Sequence, residues 1–211
     1  MKTKLLILTG VALLTAASGR ADDATIAALQ GKVSVYTAAK RKWHRAKAGE
    51  RVTLNDTVLT GGKGMAQVLF DSGARMLIKP RTRLSVRRAS YGSVAYVRYG
   101  EFLIGLPKDR PHPEVKFYAR TPVSVAAVTG TVFWGKSDEK TRQASWACFK
   151  GHIDVRAKGK NVTLSPGDKT TVNPNEPPAE PSPANIPSEY VRTFSLDGNL
   201  QGIDQQLQTE D

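Results

Sequence analysis

The chain has 211 residues, 40% of them hydrophobic and 24% charged. These fractions are those of a globular chain, not of a disordered or membrane one, and the length allows one ordinary domain with appendages. A formal net charge of +12 and a single cysteine exclude an internal disulfide and point to an anionic partner.

In chain order, the first feature is Lys2 and Lys4 ahead of an apolar run over residues 5–14, broken by Thr9 and Gly10. Small residues follow over 15–19, then Arg20 and Ala21. This order predicts a secretory signal peptide over residues 1–21, because the run is well short of the roughly 20 apolar residues of a membrane span. Cleavage after Ala21 puts Gly19 and Ala21 at the two small positions, and cleavage after Ala17 also fits. No cysteine lies near the cut, which excludes a lipid anchor. The expected location is periplasmic or secreted, with no membrane span left after cleavage.

From residue 31 to residue 172 the dominant period is two. Ala66, Val68 and Phe70 alternate with polar or outer positions, and Asp71-Ser72-Gly73 turns the chain into Met76 and Ile78. Val115, Phe117 and Ala119 alternate with Lys116, Tyr118 and Arg120, and Val123, Val125 and Ala127 continue beyond Pro122. Such runs between turn residues read as short strands, and no helix-period stretch interrupts them. Cys148, in Ser145-Trp146-Ala147-Cys148-Phe149, reads as a buried small hydrophobe on a strand. Units starting at Gly31, Gly100 and Gly151 form a weak internal repeat. The expected fold is all-β, with short antiparallel strands stacked as a two-sheet sandwich or a β-solenoid-like body.

The domain is expected to occupy residues 22–172. Residues 173–188 read as a Pro-rich, extended linker with too few backbone donors for a ladder. Residues 189–211 read as an acidic, flexible tail, where Leu200, Ile203 and Leu207 have helix spacing that Gly198 and Gly202 weaken. Lys2, Lys4 and Arg20 supply three of the twelve net positive charges, and residues 173–211 carry −6. Residues 22–172 therefore carry +15, a marked asymmetry.

Residues from about 31 to 167 carry an ordered set of motifs that opens with Gly31-x-Val33-x-Val35, Trp43, Gly49 and Leu54-Asn55-Asp56-Thr57-Val58-Leu59-Thr60. This set resembles the FecR domain, a periplasmic module named after the bacterial ferric-citrate regulator, which has Gly-Asp-x-apolar-x-Thr at the last of these. The hairpin Phe70-Asp71-Ser72-Gly73 and Pro80 with Leu84-Ser85-Val86 follow in order. Thr121-Pro122-Val123 and Gly130-Thr131-Val132-Phe133 are similar to the family's most specific signature, and Gly151 to Val155 with Pro166-Gly167-Asp168 close it. The resemblance implies that Gly31, Gly49, Gly73, Thr121, Pro122, Gly130, Thr131, Phe133, Gly151 and Gly167 are a fold signature. Turns that want positive φ explain the glycines without an active site. The family's regulators place a sigma-binding helical domain and a membrane span ahead of this module. Here the module follows the predicted leader directly, so the resemblance implies a stand-alone envelope module and not anti-sigma activity.

One enzymatic reading exists. Val68-Leu69-Phe70-Asp71-Ser72-Gly73-Ala74 resembles the aspartic protease motif, in which two aspartates share a proton. One copy would need a homodimer and a later apolar-apolar-Gly strand, for which Leu103-Ile104-Gly105 is an imperfect candidate. The competing reading is a hairpin turn with Gly73 left-handed. His44, His112 and His152 are scattered without ligand spacing, so no metal and no cofactor is expected, and no nucleophile elbow or phosphate loop occurs.

The remaining candidate is a basic stripe of Arg75, Arg81, Arg83, Arg87, Arg88 and Arg98, with Tyr91, Tyr96 and Tyr99 nearby. Strand alternation is expected to place Arg81, Arg83 and Arg87 opposite Thr82, Leu84 and Val86. Such a stripe either binds an anion or guards a strand edge. The function expected is a non-catalytic, exported binding or adaptor module that engages an envelope protein or an anionic envelope polymer, and not nucleic acid. The alternatives are a self-associating structural envelope component and a dimeric aspartic hydrolase using Asp71.

Overall fold

The computed structural model describes residues 23–185 apart from 90–91, 111–112, 114–115 and 129. The predicted leader and acidic tail lie outside these residues, as do Tyr91, His112 and Val115. Seventeen strands form among the described residues, in two sheets. The first sheet runs β4 (Arg51–Val52), β1 (Ala24–Gln30), β6 (Met65–Phe70), β7 (Arg75–Ile78) and the second half of β9 (Gly92–Gly105). It continues through β12 (Val132–Ser137), β13 (Ala144–Lys150), β16 (Asp168–Val172) and β17 (Ser182–Pro183). The second runs β3 (Lys42–Arg45), β2 (Val33–Thr37), β5 (Thr57–Thr60), β8 (Arg83–Ala89) and the first half of β9. Beyond it lie β10 (Lys116–Arg120), β11 (Val125–Val128), β14 (Ile153–Ala157) and β15 (Lys160–Leu164).

Alternation makes this a sandwich. Along β6 the pattern is half-buried then buried throughout, so Ala66, Val68 and Phe70 enter the core while Met65, Gln67 and Leu69 face out. The two inner faces meet around Trp146, which is fully buried and packs on Phe102 and Phe133 at ring distances of 5.7 and 6.1 Å. Phe70 meets Phe117 edge-on at 4.9 Å. Cys148 is buried beside this aromatic cluster, and burial pushes its thiol up to about 11. One pairing departs from the antiparallel expectation: β10 runs parallel to β9, from Lys116 opposite Gly92 to Arg120 opposite Tyr96. The cause is β9 itself, which bends from one sheet into the other, so the chain re-enters the second sheet in the same direction.

The bend is at Gly100, with φ at 108°. A Cβ there would lie 2.6 Å from Thr82 Cβ, so glycine is required both for conformation and for space. Thr82 in turn fastens the corner. Its hydroxyl donates to Glu101 O at 3.1 Å and accepts from Glu101 N at 3.0 Å, while its own N–H donates to Thr60 Oγ1 at 2.8 Å. Gly31, Gly49, Gly130, Gly151 and Gly167 also have positive φ, and each lies where the chain crosses between the sheets. Gly73 has φ at 86° in the hairpin between β6 and β7.

The chain does not leave the body at Val172. Residues 173–185 return along the edge of β16: Ala179 N–H donates to Thr171 O at 2.9 Å, and Ala184 N–H to Gly167 O at 2.7 Å. Thr170 Oγ1 donates to Ala179 O at 2.6 Å, and Pro178 is buried. These contacts form because Ala179 and Ala184 supply donors between the prolines, and a hydroxyl of the body supplies another. A Pro-rich strap on an edge strand also leaves few groups free for pairing with another chain.

Candidate binding face

The outer face of the second sheet can be followed residue by residue through its registers. Trp43 lies opposite Tyr36, Tyr36 opposite Thr57, and Thr57 opposite Ser85, with Arg45, Ser34, Leu59 and Arg83 forming the parallel row. Ser85 lies opposite Tyr96, Tyr96 beside Arg120, Arg120 opposite Val125, and Val125 opposite Arg156. Arg87, Val94, Tyr118, Ala127, Asp154 and Thr163 make the next row. The core-facing positions between them, such as Leu84, Val86, Ala95, Val97, Phe117 and Ala119, are buried. Because strand residues alternate, the other rows point away from the core, although Thr57, Ser85 and Val94 are covered by their neighbours on that face.

That outer face is cationic and aromatic. Arg45, Arg87, Lys116, Arg120 and Arg156 are exposed on it, and Asp154 is the acid that shares it among the described residues. Asp154 is engaged by the Thr163 hydroxyl at 2.6 Å. The Arg83 guanidinium lies 6.0 Å from the centre of the Trp43 ring, and that of Arg87 lies 5.7 Å from the Tyr96 ring. Tyr36 and Trp43 are in contact at 5.4 Å with their planes inclined by 51°.

The expected stripe is only partly assembled here. Arg83 and Arg87 share the face. Arg81 does not: it sits in the turn before β8 with φ at 56°, its N–H donating to Gly61 O at 3.0 Å, so strand alternation starts two residues later than expected. Arg75 is half-buried on β7, in the other sheet. Arg88 is exposed with the parity of Leu84 and Val86, and Arg98 is the exposed extra residue where β9 slips register against β8. Tyr36, Trp43, Tyr118, Arg120 and Arg156 were not anticipated as members. The alternation of Tyr118 and Arg120 with Phe117 and Ala119 was visible, but which strands flank them was not.

Asp71 belongs to the hairpin and not to a proton-sharing pair. Gly73 N–H donates to Phe70 O at 2.8 Å, closing the turn. Arg51 Nη1 and Nη2 donate to the two carboxylate oxygens of Asp71 at 2.7 and 2.8 Å, and the hydrogen bond to Asp71 raises the Arg51 pKa. A carboxylate held by a bidentate arginine is kept ionised, the opposite of what a shared-proton dyad needs. His44 pairs with Glu50 at 2.5 Å, and no cluster of potential metal ligands occurs among the described residues. On the opposite sheet, Trp134, Phe149, Lys169 and Ala184 line an open groove of about 390 Å³, in which Trp134 Nε1 donates to Glu101 at 3.0 Å.

The signature residues Thr121 and Pro122 form the tight turn between β10 and β11. Thr121 N–H donates to Ser124 O at 2.9 Å, and the two hydroxyls are 2.9 Å apart. Trp146 Nε1 donates to Ser124 Oγ at 3.0 Å. Phe133 packs on the same indole, and the backbone of the buried Thr131 receives the Leu106 N–H at 2.8 Å. The signature is thus the scaffold of the central tryptophan. Residues 56–154 match the family model described as FecR protein. The chain carries a FecR-family domain. The matched part holds Arg83, Arg87, Tyr96, Tyr118 and Arg120, while Tyr36, Trp43 and Arg156 flank it.

Two crystal structures of a "putative anti-sigma factor" from Parabacteroides distasonis ATCC 8503, at 2.50 and 1.65 Å resolution, share the fold of this chain, each with a TM-score of 0.53. The identities are 17% and 18%; the alignments cover 65% and 64% of this chain and 63% and 62% of those chains. The chain thus aligns with less than two thirds of the length of these relatives, and at such identity the likeness concerns the fold alone. A comparison with curated proteins gives no match. No helix among the described residues is long and apolar enough to cross a membrane.

Proposed function

We propose that this FecR-family protein is an exported adaptor that engages an anionic envelope polymer through the outer face of its second sheet. The observation that supports this most directly is the charge of that face: Arg45, Arg87, Lys116, Arg120 and Arg156 are exposed around a single acid, Asp154, among the described residues. Charges of one sign on an extended, open surface raise the local concentration of a polyanion and speed its encounter. The leader read in residues 1–21 delivers this surface to the compartment where such polymers lie, with residues 22–172 as the binding domain and the acidic residues 189–211 as a tail that competes for it.

The test is co-sedimentation of the protein with purified cell-wall or outer-membrane material at low and high salt. Exposed charges are screened beyond about 8 Å at physiological ionic strength and beyond about 3 Å at 1 M. Binding should therefore fall steeply with salt, and Arg87, Arg120 and Arg156 changed together to Gln should weaken it. Binding that ignores both salt and the triple substitution would overturn the reading and favour a protein partner reached through another surface.

A further inference from the structure

Trp43 is 41% exposed, on an edge strand whose four residues are all exposed. It is the large hydrophobic side chain left outside the core among the described residues. Its position is nonetheless built. Tyr36 touches it from the paired strand at 5.4 Å, and Arg83 reaches it from β8, with β2 and β5 in between. The indole is thus in contact with a ring from β2 and a cation from β8. A second aromatic–guanidinium pair, Tyr96 with Arg87, repeats the arrangement on the same face. Arg83 and Arg87 are four residues apart on one strand, so their Cα atoms are about 13 Å apart at about 3.3 Å per residue, while Trp43 and Tyr96 lie in one cross-strand row.

A guanidinium that uses its flat face against a ring keeps its in-plane N–H fork available, and that fork matches a carboxylate bidentately. Arg83 and Arg87 have no carboxylate partner among the described residues. The aromatic rings offer flat apolar surface beside each fork. Exposed charges are spread through this face, whereas the centre of a protein–protein interface is more apolar. What fits is an extended polymer that alternates flat C–H surfaces with anionic groups. Single-stranded nucleic acid shares part of this chemistry, but the leader in residues 1–21 directs the chain away from it.

We propose that Tyr36, Trp43 and Arg83, with Tyr96 and Arg87, form a two-point binding strip for an acidic polysaccharide. Sugar rings lie on the aromatics and their carboxylates meet the guanidinium edges. This rests on the reading of the face as a polyanion surface and names the polyanion.

The experiment is an affinity titration of the purified protein with polygalacturonate, polyphosphate and single-stranded oligothymidylate at equal anionic charge and fixed salt. Polygalacturonate should bind about tenfold more tightly than polyphosphate, since ring contacts of this kind change affinity by that order. Trp43→Ala should remove that advantage and leave polyphosphate binding as it was, Tyr96→Leu should remove part of it, and Arg83→Gln should weaken both. Equal binding of polygalacturonate and polyphosphate, untouched by Trp43→Ala, would overturn the polysaccharide assignment while leaving the cationic face in place. A preference for oligothymidylate that Trp43→Ala abolishes would make the partner a nucleic acid. Failure of all three polyanions to bind would take down the proposed function as well.

Discussion

The indole N–H of Trp146 donates to the hydroxyl of Ser124 at 3.0 Å, joining the centre of the core to the Thr121-Pro122 turn. Both residues are buried, so the hydroxyl has no water to replace the contact. Ser124→Ala should cost about 2 kcal/mol, within the range for leaving a buried donor unpaired. Urea titration checks this. Trp146→Phe should cost less in the Ser124→Ala background than alone, because the two share one interaction.

Asn55 has φ at 71°, and its neighbour Asp56 is buried, accepting from Ala38 N at 2.7 Å and Thr53 N at 2.8 Å. Asparagine tolerates the left-handed region better than other non-glycine residues. Asn55→Gly should therefore leave the thermal midpoint nearly unchanged. Asn55→Val should lower stability by about 1–2 kcal/mol, the usual penalty of that conformation for an L-residue. Parallel thermal melts of the two variants provide the comparison.

Gly135 on β12 lies opposite Phe102 on β9, and a Cβ at Gly135 would come within 2.7 Å of Phe102 Cε2. Phe102 is fully buried against Trp146 and cannot withdraw. Gly135→Ala should destabilise by about 1–3 kcal/mol through overpacking. Phe102→Leu should be less costly in the Gly135→Ala background than alone. A double-mutant cycle in urea reads the coupling directly, and strict additivity would argue against the clash.

Cys148 is buried, and desolvation lifts its thiol from an ordinary 9.0 to about 11. The unfolded chain loses this proton first, so its proton count falls below that of the folded chain as pH rises. Stability from this group is complete below pH 9 and is lost progressively as pH climbs towards 11. The stability difference between wild type and Cys148→Ala should therefore shrink over that interval. At pH 8 the native thiol should resist alkylation and react only after unfolding.

Much of the fold could be read locally. Alternation along Ala66, Val68 and Phe70 is set by the strand backbone itself, whose side chains take opposite faces in turn. Asp71-Ser72-Gly73 marked a hairpin, and the position of Cys148 on an apolar strand marked it as buried. What lies beyond such local rules is which strands become neighbours. Arg81 seemed to continue the alternation of Arg83 and Arg87, but the corner that Thr60, Thr82 and Gly100 lock together turns its backbone left-handed. Residues 173–185 seemed too poor in donors to pair, and the carbonyls of Gly167 and Thr171 drew them onto the edge of β16. Trp43 and Arg83 are forty residues apart and meet only because β2 and β5 bring β3 and β8 onto one face. Backbone alternation acts over a few residues and is written in any short stretch of sequence. Partners across a sandwich are chosen by burying both inner faces at once, and that choice belongs to the whole chain.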